Sequence, residues 1–251
     1  LLNLIIIFMK YKILLFIITY KASYRVIDLI KKIPIDYLKK HNFELYISDD
    51  FSNDDTITHI NKLKKRFKKK LTINVNKKNL GYGGNIKKCI NFAFKKKIDY
   101  AVMLHGDNQY NPRYLKDMLK ILIKNQNVAA VSGSRMANKA DALKGNMPFY
   151  KFIGNIFLTK IYNFIYQANF TDCHTGYWTY SLRKINKKLF MKADDNFCFD
   201  IDMRLMLTKE RLIIKELPIN TFYGNERSSV HLIYAMRFLF KTLRYKLLNR
   251  L

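Results

Sequence analysis

The densest chemical signal in the chain is His105-Gly106-Asp107-Asn108-Gln109-Tyr110-Asn111-Pro112. It follows an apolar run, 100–104, that reads as a buried strand. A strand ending in a carboxylate, an amide and a turn-forming proline can present oxygen ligands from its carboxyl tip. Such hard oxygens suit a divalent cation carrying a diphosphate. Asp107 and Gln109 lie two apart, on one side of an extended segment, so both can reach one cation. His105 is in phase with them as a third ligand. The same residues also spell an ordinary polar turn, and the segment alone does not separate the two.

Two further clusters have the same character. Asp49-Asp50-Phe51-Ser52-Asn53-Asp54-Asp55-Thr56 puts paired carboxylates at a strand end. They can accept hydrogen bonds from a base N–H and ribose hydroxyls, or serve as turn and helix cap. Asn79-Leu80-Gly81-Tyr82-Gly83-Gly84-Asn85 is a glycine-rich turn whose backbone could approach a nucleotide closely. It lacks the G-x-G-x-x-G spacing of the dinucleotide fingerprint.

The elements that must position these clusters alternate. Strands are expected at 13–19, 43–48, 71–76, 100–104 and 128–132. Helices are expected at 26–38 with a break near Pro34, from 54/55 to about 69, from the glycine-rich turn to 97, and at 114–124. Such alternation predicts βαβ units and a mostly parallel central sheet flanked by helices. Ligands of such sheets bind beyond the carboxyl ends of the strands, where all these polar clusters fall. The second half predicts an amphipathic helix at 149–168, a polar-aromatic loop and strand at 173–181 and a helix or turn at 197–207 carrying Asp200 and Asp202. A strand at 212–217 and a basic amphipathic helix at 230–251 follow. No repeat, linker or second-domain boundary is visible, so 1–251 reads as one domain, with a core over about 12–230.

The chain has 251 residues, 49% of them hydrophobic, which is enough to bury a core. Its net charge of +27 points to an anionic partner. No arginine-rich groove-entering helix or zinc-ligand spacing accompanies that charge, so nucleic acid is not the expected partner. Three scattered cysteines indicate a reducing compartment. The apolar N-terminal runs are broken by Lys10 and Lys12 and are too short to span a bilayer. Met9 reads as the natural start, with 1–8 as upstream sequence.

Taken in order, the motifs resemble a known family. Thr19-Tyr20, the aspartate cluster 49–56, Asn79-Leu80-Gly81, Gly106-Asp107-Asn108-Gln109 and Gly133-Ser134-Arg135 are similar to the inverting glycosyltransferases of family 2, which have the GT-A fold. Asp172-Cys173-His174-Thr175-Gly176-Tyr177 and Phe197-Cys198-Phe199-Asp200-Ile201-Asp202 continue the resemblance. So does Glu216-Leu217-Pro218-Ile219 followed by Tyr223-Gly224-Asn225-Glu226-Arg227-Ser228-Ser229. This last element is most like the branch that includes dolichyl- and polyprenyl-phosphate sugar synthases.

The resemblance implies an inverting hexosyltransferase with a nucleotide-sugar donor, a UDP- or GDP-sugar, and Mg²⁺ or Mn²⁺. Thr19, Tyr20, Asp49, Asp50, Asn79, Gly81 and Asp107 would line the donor site. Asp107, Gln109 and His105 would hold the metal. Arg135 and Arg227 would grip phosphate, and Lys151, Asn155, His174, Gly176 and Ser229 fall on the acceptor side. The chain departs from the family at His105, where an aspartate is usual, and imidazole suits Mn²⁺ better than Mg²⁺. It departs again at Lys21-Ala22, where Asn-Glu is usual. A polyprenyl phosphate acceptor, the leading expectation, needs no general base. A saccharide hydroxyl in surface-glycan assembly, the alternative, needs one, with Asp202 first and Asp200 second. Those two carboxylates could instead pair with Arg204 or Arg211. A non-catalytic nucleotide-sugar-binding protein is the alternative of another class. The helices at 149–168 and 230–251 suit an anionic membrane surface, giving a cytoplasmic enzyme peripheral to the inner face of the membrane. The alternatives are core packing for the first helix and a homo-oligomer contact for the second.

Overall fold

The computed structural model describes residues 11–63, 67, 70–221, 223 and 232–247. Residues 1–10, Arg227 and Ser229, and the expectations placed on them, lie outside this set.

The first half follows the expected alternation. Strand β1 (Lys12–Thr19) leads through α1 (Arg25–Lys31) and α2 (Ile35–Leu38), split at Pro34, to β2 (Asn42–Asp49). Then come α3 (Thr56–Lys62), β3 (Leu71–Val75), α4 (Tyr82–Lys95) and β4 (Tyr100–His105). A 3₁₀ turn at Pro112–Tyr114, capped by the Asn111 side chain, opens α5 (Leu115–Lys124), and β5 (Val128–Ser134) follows. The second half contains α6 (Lys139–Lys144), α7 (Phe149–Tyr166), β6 (Trp178–Ser181) and α8 (Lys187–Lys192). It ends with α9 (Phe199–Lys209), β7 (Ile213–Pro218) and α10 (Leu232–Leu247).

The seven strands form one sheet in the order β3-β2-β1-β4-β6-β5-β7. β6 is antiparallel to β4 and β5; the other pairings are parallel. Residues 13–19 of β1 are all buried, as a strand covered on both faces must be. Successive side chains alternate between faces. Ile13, Leu15 and Ile17 join Val26, Leu29, Leu115 and Met118 on one side, whereas Leu14, Phe16 and Ile18 join Ile86, Ile90, Phe199 and Met203 on the other. A smaller cluster of Leu158, Tyr162, Ile201, Leu205 and Phe238 ties α7, α9 and α10 together.

The register aligns the strand tips. Thr19 pairs with Asp49, Asp49 with Val75, and Ile18 with His105. The chain leaves β1 toward β2 on one side and returns to β4 on the other, so the strand order reverses at β1. That reversal opens a crevice at the carboxyl edge.

Candidate active site

Half of the non-glycine residues with positive φ among the described residues lie in loops at this edge: Lys21, Ser23, Phe51 and Asn108. Left-handed backbone at ordinary side chains is costly and gathers at ligand sites. The rings of Tyr20 and Phe51, from the tips of β1 and β2, are about half exposed there.

The paired aspartates shape this edge. Asp49 is fully buried; it accepts the Thr19 hydroxyl at 3.0 Å and the Ser52 backbone N–H at 2.8 Å and hydroxyl at 2.6 Å. Ser52 in turn accepts the Lys21 N–H at 2.8 Å, so the two loops are locked together. Asp50 accepts the backbone N–H groups of Leu80 and Gly81 at 2.8 and 3.0 Å and the Asn76 amide at 2.9 Å. It therefore pins the glycine-rich turn to the end of β2. The close backbone approach that those glycines permit is to the protein itself. A Cβ on Gly81 would lie 2.6 Å from the Asp195 carbonyl, and Gly84 donates to that carbonyl at 2.9 Å.

At the tip of β4 a second network forms. Tyr82, the first residue of α4, donates its hydroxyl to Asp200 Oδ2 at 2.7 Å and lies 3.2 Å from His105 Nε2. His105 meets Tyr82 and Tyr110 edge to face. Gly176 closes the cluster, because a Cβ there would sit 2.6 Å from the His105 ring. Asp200 Oδ1 is buried with no partner. Burial pushes the Asp200 carboxyl up to about 7, against the Tyr82 hydrogen bond and the charge of Arg204, which pull it down. Burial likewise lowers the His105 pKa, and the charge of Asp107 only partly restores it. A carboxyl that titrates near neutrality is poised to take a proton from an incoming hydroxyl. Asp107, half-buried two residues beyond His105, accepts the Gln109 N–H through Oδ1 at 3.0 Å. Its Oδ2 has no partner among the described residues.

Residues 15–190 match the profile of Glycosyl transferase family 2. The chain belongs to that family. It is 28% identical over 172 residues to an uncharacterized protein of Methanocaldococcus jannaschii, covering 67% of this chain and 69% of that protein. Glucosyl-3-phosphoglycerate synthase of Mycobacterium tuberculosis, solved with uridine diphosphate, superposes with a TM-score of 0.68 at 11% identity. The overlap covers 94% of this chain and 80% of that one. The same synthase with Mn²⁺, uridine-diphosphate-glucose and glycerol 3-phosphate gives 0.64 at 13% identity, covering 94% and 80%. These likenesses carry the fold, which is the GT-A fold expected from the sequence.

Within this glycosyltransferase the expected site residues separate into three groups. Thr19, Tyr20, Asp49, Asp50, Asn79, Gly81, Asp107 and Gln109 gather at the carboxyl edge of the parallel strands. His105, expected as a metal ligand, instead turns its Nε2 to Tyr82, and no group of three or more His, Cys, Asp or Glu able to hold a metal occurs among the described residues. Asp202, the first expected base, faces away from this network. Two residues are about 200° apart around a helix, and Asp202 pairs with Lys241 of α10 at 2.7 Å. The residue that reaches the strand-tip network is Asp200. Neither carboxylate pairs with Arg204, which lies between Trp178 and Phe170 and donates to Ser132 and the Asp172 carbonyl.

The third group surrounds Asp172. Arg135 grips this buried carboxylate through Nε at 2.7 Å and Nη2 at 2.9 Å and gives Nη1 to the Tyr223 hydroxyl at 2.9 Å. The guanidinium expected to bind phosphate thus has each of its nitrogens bonded within the protein. Asn155 and the His174 N–H also donate to Asp172 Oδ1. Burial pushes His174 down to about 3, so its ring is neutral, packed on Phe238. Lys151 stands over the Tyr223 ring at the rim of this group. Tyr82, Tyr110 and Tyr223 complete the site without having been singled out from the sequence. All three lie inside the quoted motifs at 79–85, 105–112 and 223–229, but nothing local assigned a role to the rings themselves.

Proposed function

We propose that this glycosyltransferase moves a sugar from a nucleotide-sugar donor to an acceptor hydroxyl with inversion at the anomeric carbon, and that Asp200 is the general base. The observation that carries this reading is the placement of Asp200, buried and oriented by the Tyr82 hydroxyl at 2.7 Å beside the tip that presents Asp107, where burial pushes its carboxyl up to about 7. Thr19, Tyr20 and the loops fixed by Asp49 and Asp50 would receive the nucleoside. The acceptor oxygen bonds to the anomeric carbon as the bond to the diphosphate breaks, and its proton passes to Asp200.

A divalent cation fits this edge as a companion of the donor. Asp107 offers one carboxylate oxygen, Gln109 an amide oxygen, and a diphosphate would supply the rest. A cation bound mainly through phosphates needs no all-protein cage. When bound it would stabilise charge on the leaving diphosphate. The synthase structures that hold Mn²⁺ and uridine-diphosphate-glucose make that cation and a UDP-sugar the first to test, with Mg²⁺ and GDP-sugars next.

One observation favours a polyprenyl phosphate acceptor instead. Lys151, in the first turn of α7, stands at the rim of the Arg135 group, and the same helix carries outward apolar side chains. A phosphate anion needs no base.

Transfer and donor hydrolysis across UDP- and GDP-sugars test both readings. Asp107→Ala should abolish turnover in either case, and an Asp107→Ala enzyme of wild-type activity would overturn the donor-site assignment. Asp200→Asn separates them. A hydroxyl acceptor predicts a loss of roughly 10²–10⁴-fold and removal of the rise in rate through pH 7. A phosphate acceptor predicts little change.

A further inference from the structure

His105 ends β4, two residues before Asp107, yet its ring is turned to the protein. It stands edge to face with Tyr82, at 5.5 Å between ring centroids, and with Tyr110, at 5.1 Å. Gly176 forms a third wall, where a Cβ would lie 2.6 Å from His105 Cε1 and 3.1 Å from Nε2. Two of these walls are joined, because Gly176 donates its N–H to the Tyr110 hydroxyl at 3.0 Å. The imidazole is thereby held in one orientation, with Nε2 3.2 Å from the Tyr82 hydroxyl. Tyr82 is held from its other side by Phe197, stacked on it at 5.8 Å.

Counting protons sets the direction of each hydrogen bond. A phenol has one hydrogen to give. Tyr82 gives it to Asp200 Oδ2 at 2.7 Å, the shorter of its two contacts, and an ionised carboxylate is the stronger acceptor. The Tyr82 oxygen can then only accept from His105, which puts a proton on Nε2. A protonated ring nitrogen has no lone pair for a cation. The same count sorts the oxygens of Asp200. Oδ2 is taken by Tyr82, whereas Oδ1 is buried with no partner among the described residues. His105, Tyr82 and Asp200 thus form one line that ties the end of β4 to the first turns of α4 and α9.

We propose that His105 is a positioning residue for sugar transfer and not a ligand of the cation: its Nε2–H holds the Tyr82 hydroxyl toward Asp200 Oδ2, which leaves Oδ1 to take the acceptor's proton. A base oriented by a second group, itself oriented by a third, is a recurring arrangement. This inference rests on the reading of Asp200 as the general base.

Steady-state transfer tests it, together with titration of UDP or GDP, matching the active donor, in the presence of Mn²⁺. Thermal melting checks the fold. His105→Leu removes the N–H donor. It should lower kcat by roughly 10- to 100-fold, the scale on which misplacement of a reacting group acts. KM for the nucleotide sugar and Mn²⁺-dependent binding of the nucleoside diphosphate should stay within about twofold of wild type. His105→Gln, whose amide nitrogen can take the place of Nε2, should regain most of the lost kcat. His105→Asn, which is polar but too short, should not, and it carries the comparison if the leucine variant melts low. Tyr82→Phe/His105→Leu should be no slower than Tyr82→Phe alone, because both residues act through one hydrogen bond. Weakened Mn²⁺-dependent binding in His105→Leu would make His105 a metal ligand and overturn the proposal. So would losses that multiply in the double variant, or a glutamine variant that melts normally and is as slow as the asparagine one. Full activity of His105→Leu beside a slow Asp200→Asn would overturn this inference alone. Wild-type transfer by Asp200→Asn would overturn the reading of the base, and this inference with it.

Discussion

Asp200 sits under opposing influences. It occupies the first turn of α9, where free N–H groups favour a carboxylate, and Tyr82 donates to it. Burial outweighs both and pushes its carboxyl up to about 7. That imbalance has a consequence that does not depend on the reaction. Between pH ~4, where an unfolded aspartate titrates, and pH 7, the folded protein holds a proton that the unfolded chain has lost. The associated stability is fully present below pH ~4 and is lost as pH rises through 7. Asp200→Asn, neutral throughout, should therefore gain in melting midpoint over wild type between pH 5 and pH 8. The gain should amount to several degrees, at about 2–4 °C per kcal/mol for a chain of this size. Parallel pH profiles for the two proteins would place the titration elsewhere. The same residue shows what a sequence can and cannot say about a site. The segment Phe199-Asp200-Ile201-Asp202 marked two carboxylates as candidates. Which one enters the site depends on whether it meets Tyr82 or Lys241, residues 118 and 39 positions away along the chain.

At the scale of elements, the first half was legible because strands buried on both faces read as unbroken apolar runs, and because proline and glycine mark where α2 and α4 begin. The second half was less so. β6 has only four residues and runs antiparallel between β4 and β5, an insertion that no local pattern announces. α10 is readable as an amphipathic helix, yet what anchors it is tertiary. Lys241 reaches across to Asp202 at 2.7 Å and Asp194 at 3.0 Å, and Asp194 also donates its N–H to Asp202. Burial raises the Asp202 pKa, and the hydrogen bond from Lys241 opposes that rise. Removing the ammonium leaves a nearly buried carboxylate without its cation. Lys241→Met should therefore cost roughly 1–3 kcal/mol at neutral pH. Less should be lost in acid, because burial raises the Asp202 pKa and favours its neutral form there. Chemical denaturation at the two pH values measures the difference. A variant equally stable at both would show that the apolar contacts of Phe238 hold α10 without the ion pair.

For the molecule as a whole, 46 basic residues stand against 19 acidic ones, and the exposed basic side chains among the described residues are spread over several elements. Exposed lysines occur at the start of β1, on α1, on α4 and on α5, and among the described residues the surface ion pairs that offset them include the local Lys31–Asp28, Lys39–Asp36 and Lys120–Asp117 and the longer-range Lys87–Asp195. Exposed pairs of this kind contribute little. Self-repulsion of a net charge of +27 acts over the whole surface and opposes the compact state. Added salt screens distant like charges more than it weakens the close, buried Arg135–Asp172 pair. Raising NaCl from about 20 to 500 mM, across which the screening length falls from roughly 20 Å to below 5 Å, should therefore raise the melting midpoint. The same salt should weaken binding of a nucleoside diphosphate, because the field that repels the protein's own charges attracts that anion. A midpoint that falls with salt would mean that the ion pairs, not the surplus, dominate the electrostatics of the fold.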